Sequence, residues 1–182
     1  MKEKIEIPLS KNKLFLGIGG SLLFVALGIW LFLNADTFQE DSYRLFKNPM
    51  LVKGIGIASI LFFGATGIFA FKKLFDKSVG LIIDSNGITD NSNASSVGLI
   101  EWKDITTIKT EQVMSTKFLL ITVTNPEKYI GKAKNRMKAK LMRTNMNMYG
   151  TPLSITSNTL KYDFRKLEQI IQTEFKQNKN VD

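Results

Sequence analysis

LFLGIGGSLLFVALGIWLFL, residues 14–33, and GIGIASILFFGATGIFAF, residues 54–71, decide the architecture of this chain. Neither run holds a charged residue. At a rise of about 1.5 Å per residue, the first spans about 30 Å as a helix, the hydrocarbon thickness of a bilayer. A secretory signal core is shorter, about 7–15 residues, and ends at a small-residue A-x-A site. Here Leu33 is followed by Asn34-Ala35-Asp36, so the segment reads as a retained anchor. Met50-Leu51-Val52 extends the second run, with Lys53 long enough to snorkel to the interface. Asn48-Pro49 before it reads as an N-cap and a proline at the first helical position. Two such runs close together argue against buried helices of a soluble protein.

Working outward, the chain divides into an anchor, residues 1–77, and a domain, residues 78–182. The anchor holds membrane helices at 14–33 and 50–71 with an outer loop at 34–49. Lys2, Lys4, Lys11 and Lys13 precede the pair, and Lys72, Lys73 and Lys77 follow it. Arg44, Lys47 and Lys53 lie in the connection, beside Asp36, Glu40 and Asp41. Basic residues mark the cytoplasmic side, so both termini are expected in the cytoplasm and the loop outside. No ionisable group falls inside either run, which argues against ion or proton transport by the hairpin alone. Gly17, Ser21 and Gly28 on the first helix, and Gly54, Ala58 and Ala65 on the second, recur at a spacing that lets backbones approach closely in lipid. Glycine is also simply frequent in membrane helices.

Composition removes whole classes of chemistry. The chain has 182 residues, 25 Lys+Arg against 16 Asp+Glu, and a net charge of +9. It has no cysteine and no histidine. Thiol nucleophiles, thiolate metal sites, the commonest general base and the commonest metal ligand are therefore missing. Zinc enzymes of the usual type and Cys-His or Ser-His-Asp hydrolases are excluded. No cofactor site is expected, since Gly17-Ile18-Gly19-Gly20 lies within a membrane run rather than in a phosphate loop.

From Ser78 onward the pattern is that of a small α+β domain. Gly80–Asp84 reads as a strand, Ser85-Asn86-Gly87 as a turn, and Gly87–Asp90 as a second strand. Val97–Trp102, Ile105–Val113 and Phe118–Thr124 follow, the last two joined near Met114-Ser115-Thr116. Alternation and β-branched residues favour an antiparallel meander. A helix is expected from Pro126 to about Met146, closed near Tyr149-Gly150, then a strand at Leu153–Thr156. Asp163 is a candidate N-cap for a last helix to about Gln177, with Phe164, Leu167, Ile170, Ile171 and Phe175 on its apolar face. Ile5, Ile7 and Leu9 alternate with Glu6 and Pro8, a pattern for an edge strand added to the cytoplasmic sheet.

A curled antiparallel sheet closed by a C-terminal helix is the plan of pleckstrin-homology-like domains. Gly98 to Ile105 resembles the W-x-D-I strand-turn-strand of many bacterial members, with Trp102 on the core and Asp104 turning the chain. The whole chain is similar to a family of small bacterial inner-membrane proteins with two N-terminal helices and a pleckstrin-homology-like cytoplasmic domain. The stretches that carry the resemblance are Glu6 to Ser10, Lys72 to Asp76, Gly80 to Asp84, Gly98 to Ile105, Asn125 to Tyr129 and Tyr149 to Pro152. The resemblance implies an architecture and supplies no catalytic residues.

The strongest candidate site is the expected basic helix, with Lys128, Lys132, Lys134, Arg136, Lys138, Lys140 and Arg143 and no acid between them. Lys128, Lys132, Arg136 and Lys140 would form one stripe, and Ile130, Ala133, Met137 and Leu141 another face. Such a helix can bind anionic lipid headgroups. The same residues also read as a solvated face. Nucleic acid is disfavoured because stacking aromatics are not interleaved. Met142, Met146 and Met148 fit packing better than a soft copper(I) site. Asn93-Ala94-Ser95 is a sequon without meaning in a bacterial cytoplasm. Asp84, Asp90, Glu101 and Asp104 make a poor acid–base set without histidine. Three functions follow, in falling order: a membrane-anchored lipid-binding or protein-interaction module, an immunity or accessory protein binding a toxin or larger membrane complex, and an enzyme.

Overall fold

The computed structural model describes residues 4–37 and 48–179. The expected outer loop falls largely outside the described residues. The chain forms two compact units: residues 12–76, and residues 77–182 together with the residues up to Lys11.

The first unit is a pair of long helices, α1 (Lys11–Leu33) and α2 (Pro49–Leu74). Both are long and apolar enough to cross a membrane. Only 17% and 11% of their most apolar windows are buried within the protein, where a core helix of a soluble protein would be mostly covered. Asn48 caps α2 as its sequence predicts, its side chain accepting from Met50 N and Leu51 N ahead of Pro49. Lys53 does not merely snorkel: its ammonium pairs with Asp36 at 2.9 Å.

The helices touch where glycine lets them. A Cβ on Gly56 would meet Gly28 O at 2.7 Å, and one on Gly28 would meet Gly56 O at 2.9 Å. Ser59 Oγ donates to Phe24 O at 3.0 Å, the Phe24 and Phe63 rings stack at 4.3 Å, and Gly67 faces Ser21. Ser21 and Gly28 are thus at the contact, as their spacing suggests. Their partners on α2 are Gly56, Ser59 and Gly67 rather than Gly54, Ala58 and Ala65. Gly54 and Gly17 have open space where a side chain would go.

The second unit is built on two antiparallel sheets. The first holds β1 (Ile5–Ile7), β2 (Leu81–Ile83), β3 (Gly87–Asp90) and β4 (Gly98–Glu101), in that order. The second holds β5 (Ile105–Val113), β6 (Thr116–Val123) and β7 (Leu153–Ile155). A 3₁₀ turn, Trp102–Asp104, carries the chain from one to the other. The expected single meander is therefore split at Trp102. The indole sits in the core and donates from Nε1 to Asp84 O at 2.7 Å, which fixes the bend.

The expected N-terminal edge strand is present, pairing Ile5 with Ile83 and Ile7 with Leu81. Ile7 is only 1% exposed, so this strand closes the core. Burying such a side chain is worth about 1.5–3 kcal/mol. Two further bonds, Ser10 N to Thr159 O and Lys161 N to Pro8 O, both 2.8 Å, hold the segment down to the start of α1. The β2–β3 turn depends on glycine. Gly87 has φ +155°, and a Cβ there would lie 2.0 Å from Ile100 O. Asp84 Oδ1 accepts from Asn86 N and Gly87 N to shape the turn.

Between β6 and β7 the structure corrects the sequence. One helix from Pro126 to Met146 was the expectation. There are two, α3 (Pro126–Ile130) and α4 (Arg136–Tyr149). Asn125 caps the first through Lys128 N. Asn135, in extended conformation, caps the second through Lys138 N at 2.8 Å. An asparagine whose side chain can replace a backbone acceptor favours starting a helix over continuing one, and Gly131 adds its intrinsic cost to any continuous helix. Gly150, with φ +74°, closes α4 where expected. The last helix, α5 (Phe164–Lys179), begins after Asp163, whose Oδ1 accepts from Arg165 N and Lys166 N. Leu167 and Ile171 enter the core with Leu81, Ile88, Leu119 and Ile155.

Candidate functional site

The break at residues 131–135 redistributes the basic side chains. Lys128, Lys132, Arg136 and Lys140 do not form one stripe, because the first two lie in and just after α3 and the others on α4. The expected apolar face holds only in part: Ile130 is buried and Ala133 packs on the core. Met137 is 75% and Leu141 41% exposed, whereas Met142 is fully buried. Met148 is exposed.

Lys128 and Arg143 are paired with acids distant in sequence. Lys128 Nζ lies 2.7 Å from Glu101 Oε1 and 2.6 Å from Asp104 Oδ2. Arg143 grips Glu127 through both guanidinium nitrogens, at 2.9 and 3.1 Å. The Arg143–Glu127 pair is solvent-exposed, whereas Lys128 bridges two carboxylates. Lys128 belongs to a latch between α3 and the β4–β5 bend. Tyr129 OH donates to Asp104 Oδ2 at 2.6 Å and accepts from Glu101 N at 3.2 Å. Bonds from Lys128, and then Tyr129, hold the Asp104 carboxyl below its ordinary value. Lys103, and then Lys128, do the same for Glu101. Asp104 and Glu101 in turn push Lys128 up. Burial pushes the Tyr129 hydroxyl up to about 12, helped by Asp104. Every shift favours the charge state already held at neutral pH, so the cluster is a clamp and not a proton-transfer pair. The sequence alone gives Glu101 and Asp104 only as part of a poor acid–base set and points to no role for Tyr129.

The other five basic residues lie between positions 132 and 140. Lys132, Lys134, Arg136 and Lys140 have no ion pair among the described residues. Lys132 Nζ donates to Leu99 O at 3.0 Å and stands 4.6 Å from the Tyr129 ring centroid. This aims Lys132 across β4. Lys132, Lys134 and Lys138 then line one cleft of about 290 Å³ with Thr89, Asp90 and Ser96. Arg136 and Lys140 stay outside it. Asp90 is buried in this cleft, its Oδ1 accepting from Ser92 N at 2.8 Å and its Oδ2 from Ser96 Oγ at 2.5 Å. The loop carrying Ser96 is pinned to β7 by Asn93 Nδ2, which donates to Ser154 O at 2.7 Å. No three acidic side chains among the described residues converge as metal ligands. The arrangement can attract an anion and offer it hydrogen bonds.

No known protein family, curated protein or solved structure matches the chain.

Proposed function

We propose that this chain is a membrane-anchored interaction module without enzymatic activity, docking its basic surface on anionic lipid at the bacterial inner membrane. The reading includes a pleckstrin-homology-like domain, supported by a four-stranded and a three-stranded antiparallel sheet with a C-terminal helix. It also includes membership of the small inner-membrane family that the sequence resembles. A protein partner is the second docking target this surface would suit.

The observation that carries the reading is the pairing of β1 with β2. The strand before α1 and the strand after α2 share one sheet, so the start of α1 and the end of α2 belong on one side of a membrane. Ile7 pairs with Leu81, so both connections to the helices leave from the same end of that strand pair. Lysine-rich flanks favour the cytoplasm for that side. Each Lys or Arg near anionic lipid contributes about 1 kcal/mol, decaying within a Debye length. The tether makes docking intramolecular, so a few such residues fix an orientation.

Two measurements test this. A reporter fused after Asp182 should be active in the cytoplasm, and a cysteine at Ser42 should label from outside in intact cells. External labelling of a cysteine at Ser95 overturns the orientation. The second uses the full chain in nanodiscs, because a fragment starting at Ser78 would lack the buried Ile7. Trypsin cleavage between Lys132 and Lys140 should slow on anionic nanodiscs relative to neutral ones and recover in high salt. Equal cleavage rates on both would leave these residues a solvated face.

A further inference from the structure

We infer that the cleft of Lys132, Lys134 and Lys138 is a headgroup site, binding the phosphate of one anionic phospholipid. The inference rests on the lipid-docking reading and sharpens it from a diffuse charged surface to one saturable site.

Three observations carry it. First, three lysines converge, although a continuous helix would bring only Lys134 and Lys138, four apart, to one face and leave Lys132 off it. The non-helical turn at 131–135 brings Lys132 and Lys134 to the same cleft as Lys138 of α4. Lys132 is held there by Leu99 O and the face of Tyr129 rather than left to sweep solvent. Second, size and lining fit a headgroup. Ligand pockets run from about 300 Å³ upward. A cleft of about 290 Å³ therefore suits a phosphate and its substituent, not a lipid with its acyl chains. Thr89 adds a hydroxyl to the lysines, and the oxygens of Asp90 and Ser96, already bonded to each other, keep acceptor positions that suit a headgroup carrying hydroxyls, such as glycerol. Choline offers no such donor. Third, the source of the phosphate is set by covalent reach. Ser78 also lines the cleft, four residues beyond Leu74, the last residue of α2. An extended chain covers at most about 3.6 Å per residue, so Ser78 stays within about 15 Å of the helix end. A membrane lipid is always within reach there, and a soluble phosphate is not concentrated in the same way.

The full chain in neutral detergent is offered phosphatidylglycerol or phosphatidylcholine, and bound lipid is counted by native mass spectrometry. The expected result is one phosphatidylglycerol per chain and no retained phosphatidylcholine. Lys134→Gln with Lys138→Gln should weaken that binding about tenfold or more, and Arg136→Gln with Lys140→Gln less than about threefold. Both pairs remove two positive charges, so a difference between them cannot come from net charge. Lys134 is exposed. Lys134→Gln alone therefore gives the same ordering if the double variant is unstable. Equal weakening by both pairs overturns the site and leaves diffuse lipid docking standing. Equal retention of both lipids by the unmodified chain overturns the docking reading too. Displacement of phosphatidylglycerol by an equal concentration of inorganic phosphate assigns the cleft to a soluble anion and overturns the lipid assignment.

Discussion

Tyr129→Phe removes one oxygen atom from the latch and leaves the rest in place. The ring is fully buried, and its packing and its contact with the Lys132 ammonium survive. What goes is the hydrogen bond donated to Asp104 Oδ2 at 2.6 Å and the acceptor 3.2 Å from Glu101 N. A hydrogen bond to a charged acceptor contributes about 1.5–3 kcal/mol. Lys128 Nζ remains 2.6 Å from the same carboxylate oxygen, so Asp104 is not left bare. The loss therefore belongs near the low end, about 1.5–2 kcal/mol. Urea unfolding of the full chain in neutral micelles reads it. Trp102 fluorescence is the signal in a Trp30→Phe background, since the chain has 2 tryptophans. A double-mutant cycle with Asp104→Asn should give a coupling of about 0.5–3 kcal/mol. The pH dependence supplies a second signature. The hydroxyl rises from 10.0 to about 12 on folding. A group whose pKa is raised contributes fully below pH 10 and loses its contribution as the pH climbs toward 12. The unmodified chain should lose stability across that window, and Tyr129→Phe should lose less. A destabilisation below about 0.5 kcal/mol, or strict additivity with Asp104→Asn, refutes the latch.

Two further outcomes follow from the packing. Gly56→Leu places a side chain where a Cβ alone would meet Gly28 O at 2.7 Å. The helices must part, and disulfide formation between cysteines installed at Phe24 and Phe63 should fall from near complete to trace. Unchanged yield refutes the crossing point. Ile7→Asp puts a carboxylate at a position 1% exposed and should cost more than about 3 kcal/mol, whereas Ile7→Val should cost about 0.5–1.5 kcal/mol. Trypsin should then cut the chain readily at Lys4 and Lys11 in Ile7→Asp only. Resistance there would mean that β1 is not part of the core.

The seven basic residues show why the site was only partly legible. Their concentration between positions 128 and 143 is plain in the sequence, and so is the absence of acids among them. Which ones are neutralised is not, because Glu101 and Asp104 reach Lys128 from more than twenty positions away through the β4–β5 bend. Asn135 and Gly131 are local signals for a break, set among helix-forming neighbours. A capping side chain wins that competition only when the next helix has something to pack against, here through the buried Met142.

What the sequence determined by itself is what depends on runs and local chemistry. The two uncharged runs are long enough to span hydrocarbon whatever surrounds them. Asn48, Asn125 and Asp163 cap helices through their own side chains, and the alternation at Ile5 and Ile7 marks a strand. The missing histidine and cysteine close off chemistries in any fold. The tertiary structure alone decided the partners. It matched Gly28 with Gly56 and Lys128 with Glu101 and Asp104, and it gathered Lys132, Lys134 and Lys138 around Asp90 and Ser96. These depend on distances between residues far apart in the chain, set by sheet register and by how closely two backbones can approach. A periodic pattern fixes which face a residue occupies and carries no information about what that face will meet.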